Sequence, residues 1–200
     1  MTVTLPHQPT RLALSLCLPL LAVAGLAWGH PGHGGGHGGF AAGLSHPFLG
    51  LDHLLAMVAI GLWSVRQSGL FRTLSPLVVL LGMWAGAALV WSGIALPGVE
   101  TGIALSVLLA GVLLAAMARL PSVVGAVLVV TFMLFHGHAH GSELPHGASL
   151  MSYLAGFSLA TLAITYGGKA LGGFLMTRSN GWVRALGVGI AALGSVFALS

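Results

Sequence analysis

VVGAVLVVTFMLFHGHAHGSE, residues 123–143, is the stretch that decides the fold. Its first 13 residues, Val123 to Phe135, form an uninterrupted apolar run. As α-helix that run spans about 20 Å at ~1.5 Å per residue, whereas the hydrocarbon core of a bilayer is about 30 Å thick. A span built on it must therefore carry its histidines into the membrane. On a regular helix His136 and His140 project from one face, Glu143 returns to that face two turns on, and His138 points nearly the opposite way.

The rest of the chain is written in the same alphabet. Of 200 residues 56% are hydrophobic, and only 7 Lys or Arg and 3 Asp or Glu carry a permanent charge. A soluble domain is about 25% charged, so this composition cannot cover a water-facing surface. The few cations are scattered, which excludes nucleic acid as a partner. The lipid bilayer is the surrounding the composition requires.

Six apolar stretches lie between turn-forming breaks: Pro47 to Val65, Leu74 to Leu96, Gly102 to Ala118, Val123 to about His140, Leu150 to Gly168 and Val183 to Leu199. Backbone in hydrocarbon must satisfy its own hydrogen bonds, so these runs are expected as helices. The fold class is all-α and polytopic, with six transmembrane helices over residues 46–200. Ahead of them, Arg11, the apolar run Leu12 to Leu26 and the small-x-small site Ala27-Trp28-Gly29 read as a cleavable signal peptide, residues 1–29. Residues 30–45 form a Gly- and His-rich tail. Leu16 before Cys17 does not fit a lipoprotein signal, and one cysteine allows no internal disulfide.

Charge sets the orientation. Arg66, Arg72, Arg119, Lys169, Arg178 and Arg184 all fall at one set of span ends, which the positive-inside rule makes cytoplasmic. The mature N-terminus and the C-terminus are then periplasmic. Asp52, Glu100, Glu143 and every histidine beyond the signal fall at the opposite ends. Counted from the inner cations, His53 and His136 lie at depths of roughly 20 and 25 Å, in the outer third of the bilayer. Ionisable groups there are costly unless paired or lining a wet cavity, and they mark a functional site.

The two groups are His46-Pro-Phe-Leu-Gly-Leu-Asp52-His53 and Phe135-His136-Gly-His138-Ala-His140-Gly-Ser-Glu143. Imidazole with carboxylate suits borderline divalent ions such as nickel, cobalt or zinc. His46 and His53 share a helical face but stand about 10 Å apart along a regular helix, too far for one ion. Either the first span unwinds near Pro47 and Gly50, or the two histidines are successive stations on a path. In the tail His30, His33 and His37 are auxiliary candidates, as is His138, and the tail is expected to act as a metal antenna. Glu100 and His146 read as solvated loop residues. Gly82 with Gly86, Gly168 with Gly172, and the Gly102, Ser106, Ala110 ridge are read as helix contacts without metal chemistry.

HPFLGLDH (46–53) and FHGHAHGSE (135–143) resemble, at every fixed position, the two signatures of the HupE/UreJ family of nickel/cobalt permeases, H-P-x-x-G-x-D-H and F-H-G-x-A-H-G-x-E. The layout of signal, His-containing N-terminus and six spans is similar over the whole chain. The resemblance implies secondary uptake of Ni²⁺ or Co²⁺ across a bacterial inner membrane, in support of hydrogenase or urease. It carries over His46, Asp52, His53, His136, His140 and Glu143 as the residues on which transport depends. The metal is cargo, and no resident cofactor or catalytic residue is expected; a homo-oligomer is allowed but not required.

Two rival classes remain. A membrane metalloenzyme, hydrolase or hydroxylase, would use the His136–His140 pair to activate water, but the chain has no H-E-x-x-H and no G-x-S-x-G. A metal-binding accessory protein would explain the His tail but not the intramembrane ligands. No phosphate loop is present, Gly167-Gly168-Lys169-Ala170 being the nearest approach, so no ATPase is expected in this chain.

Overall fold

The computed structural model describes residues 39–200, which form helices and, among the described residues, no strand. The helices are α1 (Gly39–Leu49), α2 (Leu51–Ser64), α3 (Gly69–Trp91), α4 (Val99–Ala115), α5 (Ser122–Ser142), α6 (Leu150–Arg178) and α7 (Asn180–Leu199). Four of them, α3, α5, α6 and α7, are each long and apolar enough to cross a bilayer. α1 and α2 qualify together but are bent by 77° where they meet, so the count is four, or five with the bent pair taken as one. α4 is apolar but has 17 residues, about 25 Å at ~1.5 Å per residue. The signal peptide over 1–29 and His30, His33 and His37 lie outside the described residues.

Of the two readings of the first span, the structure shows the broken one: two helices meet at Gly50, whose backbone is extended (φ −85°, ψ 109°). That conformation is open to any residue, but a side chain there would press on its neighbours by a few tenths of an ångström. A Cβ at Gly50 would stand 3.1 Å from both Asp52 Oδ1 and His53 Nδ1. α1 also starts at Gly39, so residues 39–45, read as tail, are helical.

α6 runs ten residues past Gly168, the expected end of the fifth stretch, to Arg178. Gly168 and Gly172, read as a helix contact, are one: each presses its bare Cα against α2, at Val58 and Leu62. Helix-to-helix packing holds the helical backbone that the propensity of glycine alone would not.

α2 is the axis of the bundle, with every residue from Leu55 to Ser64 except Val58 buried. Around it the helices pair through glycines. α1 meets α6 at Gly43 and Gly156, α3 meets α5 at Gly82, Gly86, Gly137 and Gly141, and α4 meets α7 at Gly111, Gly187 and Gly194. In each pair a Cβ would run into the partner's backbone or Cβ. Close packing of small residues is the main means by which helices associate in lipid, where apolar burial gives little drive.

One end of the bundle is tied by backbone-directed side chains. Gln67 Nε2 donates to Ala118 O at 2.9 Å and its Oε1 accepts from Leu120 N at 3.1 Å. Lys169 Nζ donates to Arg72 O at 2.5 Å. This end holds the cations; the histidine groups lie at the other.

Candidate metal-ion site

The bend at Gly50 brings together what a straight helix would separate. His46 in α1 and His53 in α2 both reach His140 of α5, with ring centroids 4.7 and 4.3 Å from it. His53 also meets His136 edge to face at 4.5 Å. The four rings form a continuous row, His46–His140–His53–His136. At its open end the His46 Nε2 pairs with Glu143 Oε2, both half-exposed, while His136 and His140 are buried to 0% and 1% exposure. The donor atoms of His46, His140 and Glu143 lie within 4.8 Å of one another.

The glycines of the second motif orient this row. Gly137 and Gly141 seat α5 against Met83 and Ala87 of α3, which turns the face bearing His136 and His140 inward toward α2. The same contact buries Gly86 against Leu134 and His138 of α5.

Hydrogen bonds occupy one ring nitrogen each of His136 and His53. Ser106 Oγ of α4 lies 2.7 Å from Ile103 O and 2.6 Å from His136 Nε2; with its one proton on Ile103 O, the hydroxyl accepts from the imidazole. The lone pair of His136 is then on Nδ1. Asp52 Oδ1 accepts from both the backbone N–H of His53, at 2.7 Å, and His53 Nδ1, at 2.6 Å. That leaves the lone pair of His53 on Nε2. Carboxylate and hydroxyl thus hold their histidines as outer partners commonly hold metal-binding imidazoles.

Among the described residues seven buried side-chain nitrogen or oxygen atoms lack a hydrogen-bond partner, and four belong to this row: His53 Nε2, His136 Nδ1, and both ring nitrogens of His140. Each such atom costs about 1–3 kcal/mol when left unpaired. A neutral imidazole keeps one ring nitrogen protonated, so each of these three rings offers one lone pair, and imidazole with carboxylate suits a borderline divalent cation.

The sequence-derived residues divide accordingly. His46, His53, His136, His140 and Glu143 converge. Asp52 joins through His53. His138 is elsewhere, its Nε2 accepting from Leu96 N at 3.1 Å in the connection between α3 and α4. Glu100, read as a loop residue, sits in the first turn of α4 and is exposed, as is His146.

The reading of the Gly102, Ser106, Ala110 ridge as helix contact alone needs correction, because Ser106 is a hydrogen-bond partner of a site histidine. Sequence reasoning also passed over Tyr153, Trp91 and Phe157. Tyr153 Oη donates to His140 O at 3.1 Å and Trp91 Nε1 to Gly141 O at 3.0 Å, satisfying carbonyls in the last turn of α5. The Phe157 ring lies 4.9 Å from that of His140. A hydroxyl or indole in an otherwise apolar helix was the available signal.

Fold and site together define a multi-pass helical membrane protein whose bundle closes around a row of imidazoles. Comparison with known proteins narrows this. Residues 18–197 match the HupE / UreJ protein family. The chain is 39% identical over 181 residues to Protein HupE of Rhizobium leguminosarum bv. viciae, an alignment covering 90% of this chain and 93% of that one. The chain belongs to the HupE/UreJ family. No solved structure gives a significant match.

Proposed function

We propose that the protein is a secondary transporter that takes up Ni²⁺ or Co²⁺ across the bacterial inner membrane. The observation that carries this reading is the histidine row, which leads from the half-exposed His46–Glu143 pair to the fully buried His136 through rings no more than 4.7 Å apart. An ion captured by Glu143, His46 and His140 exchanges ligands one at a time, passing to His53 Nε2 and His136 Nδ1 without regaining its full water shell. Asp52 adds negative charge beside His53, offsetting the cost of a dication at depth.

In this reading α1 with α2, and α4, complete six crossings with the four longer helices, and the cation-bearing end faces the cytoplasm. Residues 1–29 are removed, and His30, His33 and His37 gather metal at the periplasmic mouth. No resident cofactor takes part. A dication moving inward at 100 mV gains about 4.6 kcal/mol, twice the ~2.3 of a single charge, which is roughly a thousandfold of accumulation. The membrane potential alone is a sufficient drive.

The test is uptake of radiolabelled nickel and cobalt in cells lacking their own transporters, each ion also serving as competitor to the other. Accumulation in sealed vesicles containing only this protein separates transport from a metalloenzyme or an accessory binder. Binding without accumulation would overturn the proposal.

A further inference from the structure

The end of the bundle remote from the histidines holds an open-mouthed cavity of about 560 Å³. Arg66, Gln67, Gly69, Arg72, Arg119 and Met176 line it. Three arginines thus line it, from the connection after α2, the first turn of α3 and the connection after α4. The chain has three carboxylate side chains, Asp52, Glu100 and Glu143. All three belong to the opposite end, and among the described residues every ion pair involves a histidine rather than an arginine. Arg66 Nε is buried and without a hydrogen-bond partner. α3 also begins here, and its N-cap, Ser68, makes no side-chain capping bond, so the first-turn N–H groups add a positive helix end to the same cavity.

A preponderance of cations at one membrane face needs only solvated arginines. It does not require that three of them line one cavity or that a nitrogen of one of them be buried unpaired. The charge also excludes the transported metal as occupant, because a dication is repelled by three guanidiniums.

We propose that this cavity is a phosphate-binding site, with Arg66 and Arg119 forking onto the phosphate oxygens, Arg72 adding charge at the rim, and the α3 N-terminus behind them. The site lies where lipid headgroups meet the bundle, so its phosphate belongs either to an anionic phospholipid or to a free phosphate from solution. Nothing in it depends on what the histidine row does.

The test uses the full chain purified in detergent and native mass spectrometry. Phosphatidylglycerol, phosphatidylcholine of the same acyl chains, and inorganic phosphate are offered separately, each with the wild type, with Arg66→Gln/Arg119→Gln, and with Arg178→Gln/Arg184→Gln. The last pair removes two charges from the same face but outside the cavity. Retention of phosphatidylglycerol over phosphatidylcholine, weakened roughly fivefold for each cavity arginine removed and unchanged in the control pair, establishes a lipid headgroup site. Retention of inorganic phosphate with the same variant pattern and no lipid preference establishes a free-anion site.

The inference is overturned if wild-type protein prefers neither phosphatidylglycerol nor phosphate, or if the control pair loses as much as the cavity pair. The wild-type comparison needs no variant, so a misfolded double substitution leaves the question decidable.

Discussion

His53 and His136, on separate helices, meet edge to face at 4.5 Å, and each spends one ring nitrogen on a neighbour that leaves the lone pair on the other. The neighbours differ in kind. Asp52 brings a charge and Ser106 only a hydroxyl, so removing them has different consequences.

Ser106→Ala leaves His136 free to rotate and to change tautomer without altering any direct ligand. Loss of an outer hydrogen-bond partner of this type weakens metal affinity by about 10- to 100-fold. The half-saturating nickel concentration for uptake is therefore expected to rise at least tenfold, with maximal uptake less affected. Unchanged concentration dependence would mean that the 2.6 Å contact packs the ring and does nothing further.

Asp52→Asn preserves the shape and both acceptor contacts to His53 but removes the charge. Uptake is expected to be abolished while the protein remains inserted and abundant on immunoblots of membranes. Asp52→Glu, which keeps the charge and lengthens the side chain, should recover part of the activity. Wild-type transport by the Asn variant would reduce Asp52 to a tether for the bend at Gly50.

How much of this could be read from the sequence follows from which interactions are local. The all-helical, membrane-embedded character was legible because hydrocarbon forces backbone hydrogen bonds into helices, and the i, i+4 spacing of His136 and His140 fixed their shared face. The meeting of His46 with His53 around His140 was not, because glycine at position 50 is equally compatible with a straight helix packed closely on a neighbour. Nor was Ser106, whose role depends on which face of α4 meets α5. That Gly168 and Gly172 form a helix contact was legible, but the extension of α6 to Arg178 was not, because it depends on packing against α2.

The three histidines of the second motif should separate by function. His136→Ala and His140→Ala each remove a ring from the row and are expected to cripple uptake, whereas His138→Ala removes contacts with Leu96 N and Ile94 O in the connection between α3 and α4 and should be milder. Losing those contacts loosens that connection, so a modest fall in thermal stability in detergent is the expected mark of the His138 variant. Equal loss of uptake at all three positions would place His138 in the metal path.

Gly137→Ala tests whether the second motif owes its glycines to packing. An added Cβ would run into the carbonyl and backbone of Met83, and backbone yields less readily than the end of a side chain. Overpacking of this kind costs about 1–3 kcal/mol, more than the up to ~1 kcal/mol that alanine gains over glycine in a helix. Gly167→Ala is the matched control, since that position is helical, exposed and has no atom within 4 Å of the new Cβ. In detergent-solubilised protein the melting temperature is expected to fall by several degrees for Gly137→Ala and to stay level or rise for Gly167→Ala. Because α5 would be pushed from α3 toward α2, Gly137→Ala should also reduce uptake in proportion beyond its loss of abundance. A variant that melts like the wild type and transports normally would mean that α3 and α5 are not seated on one another as closely as the Gly137–Met83 contact requires.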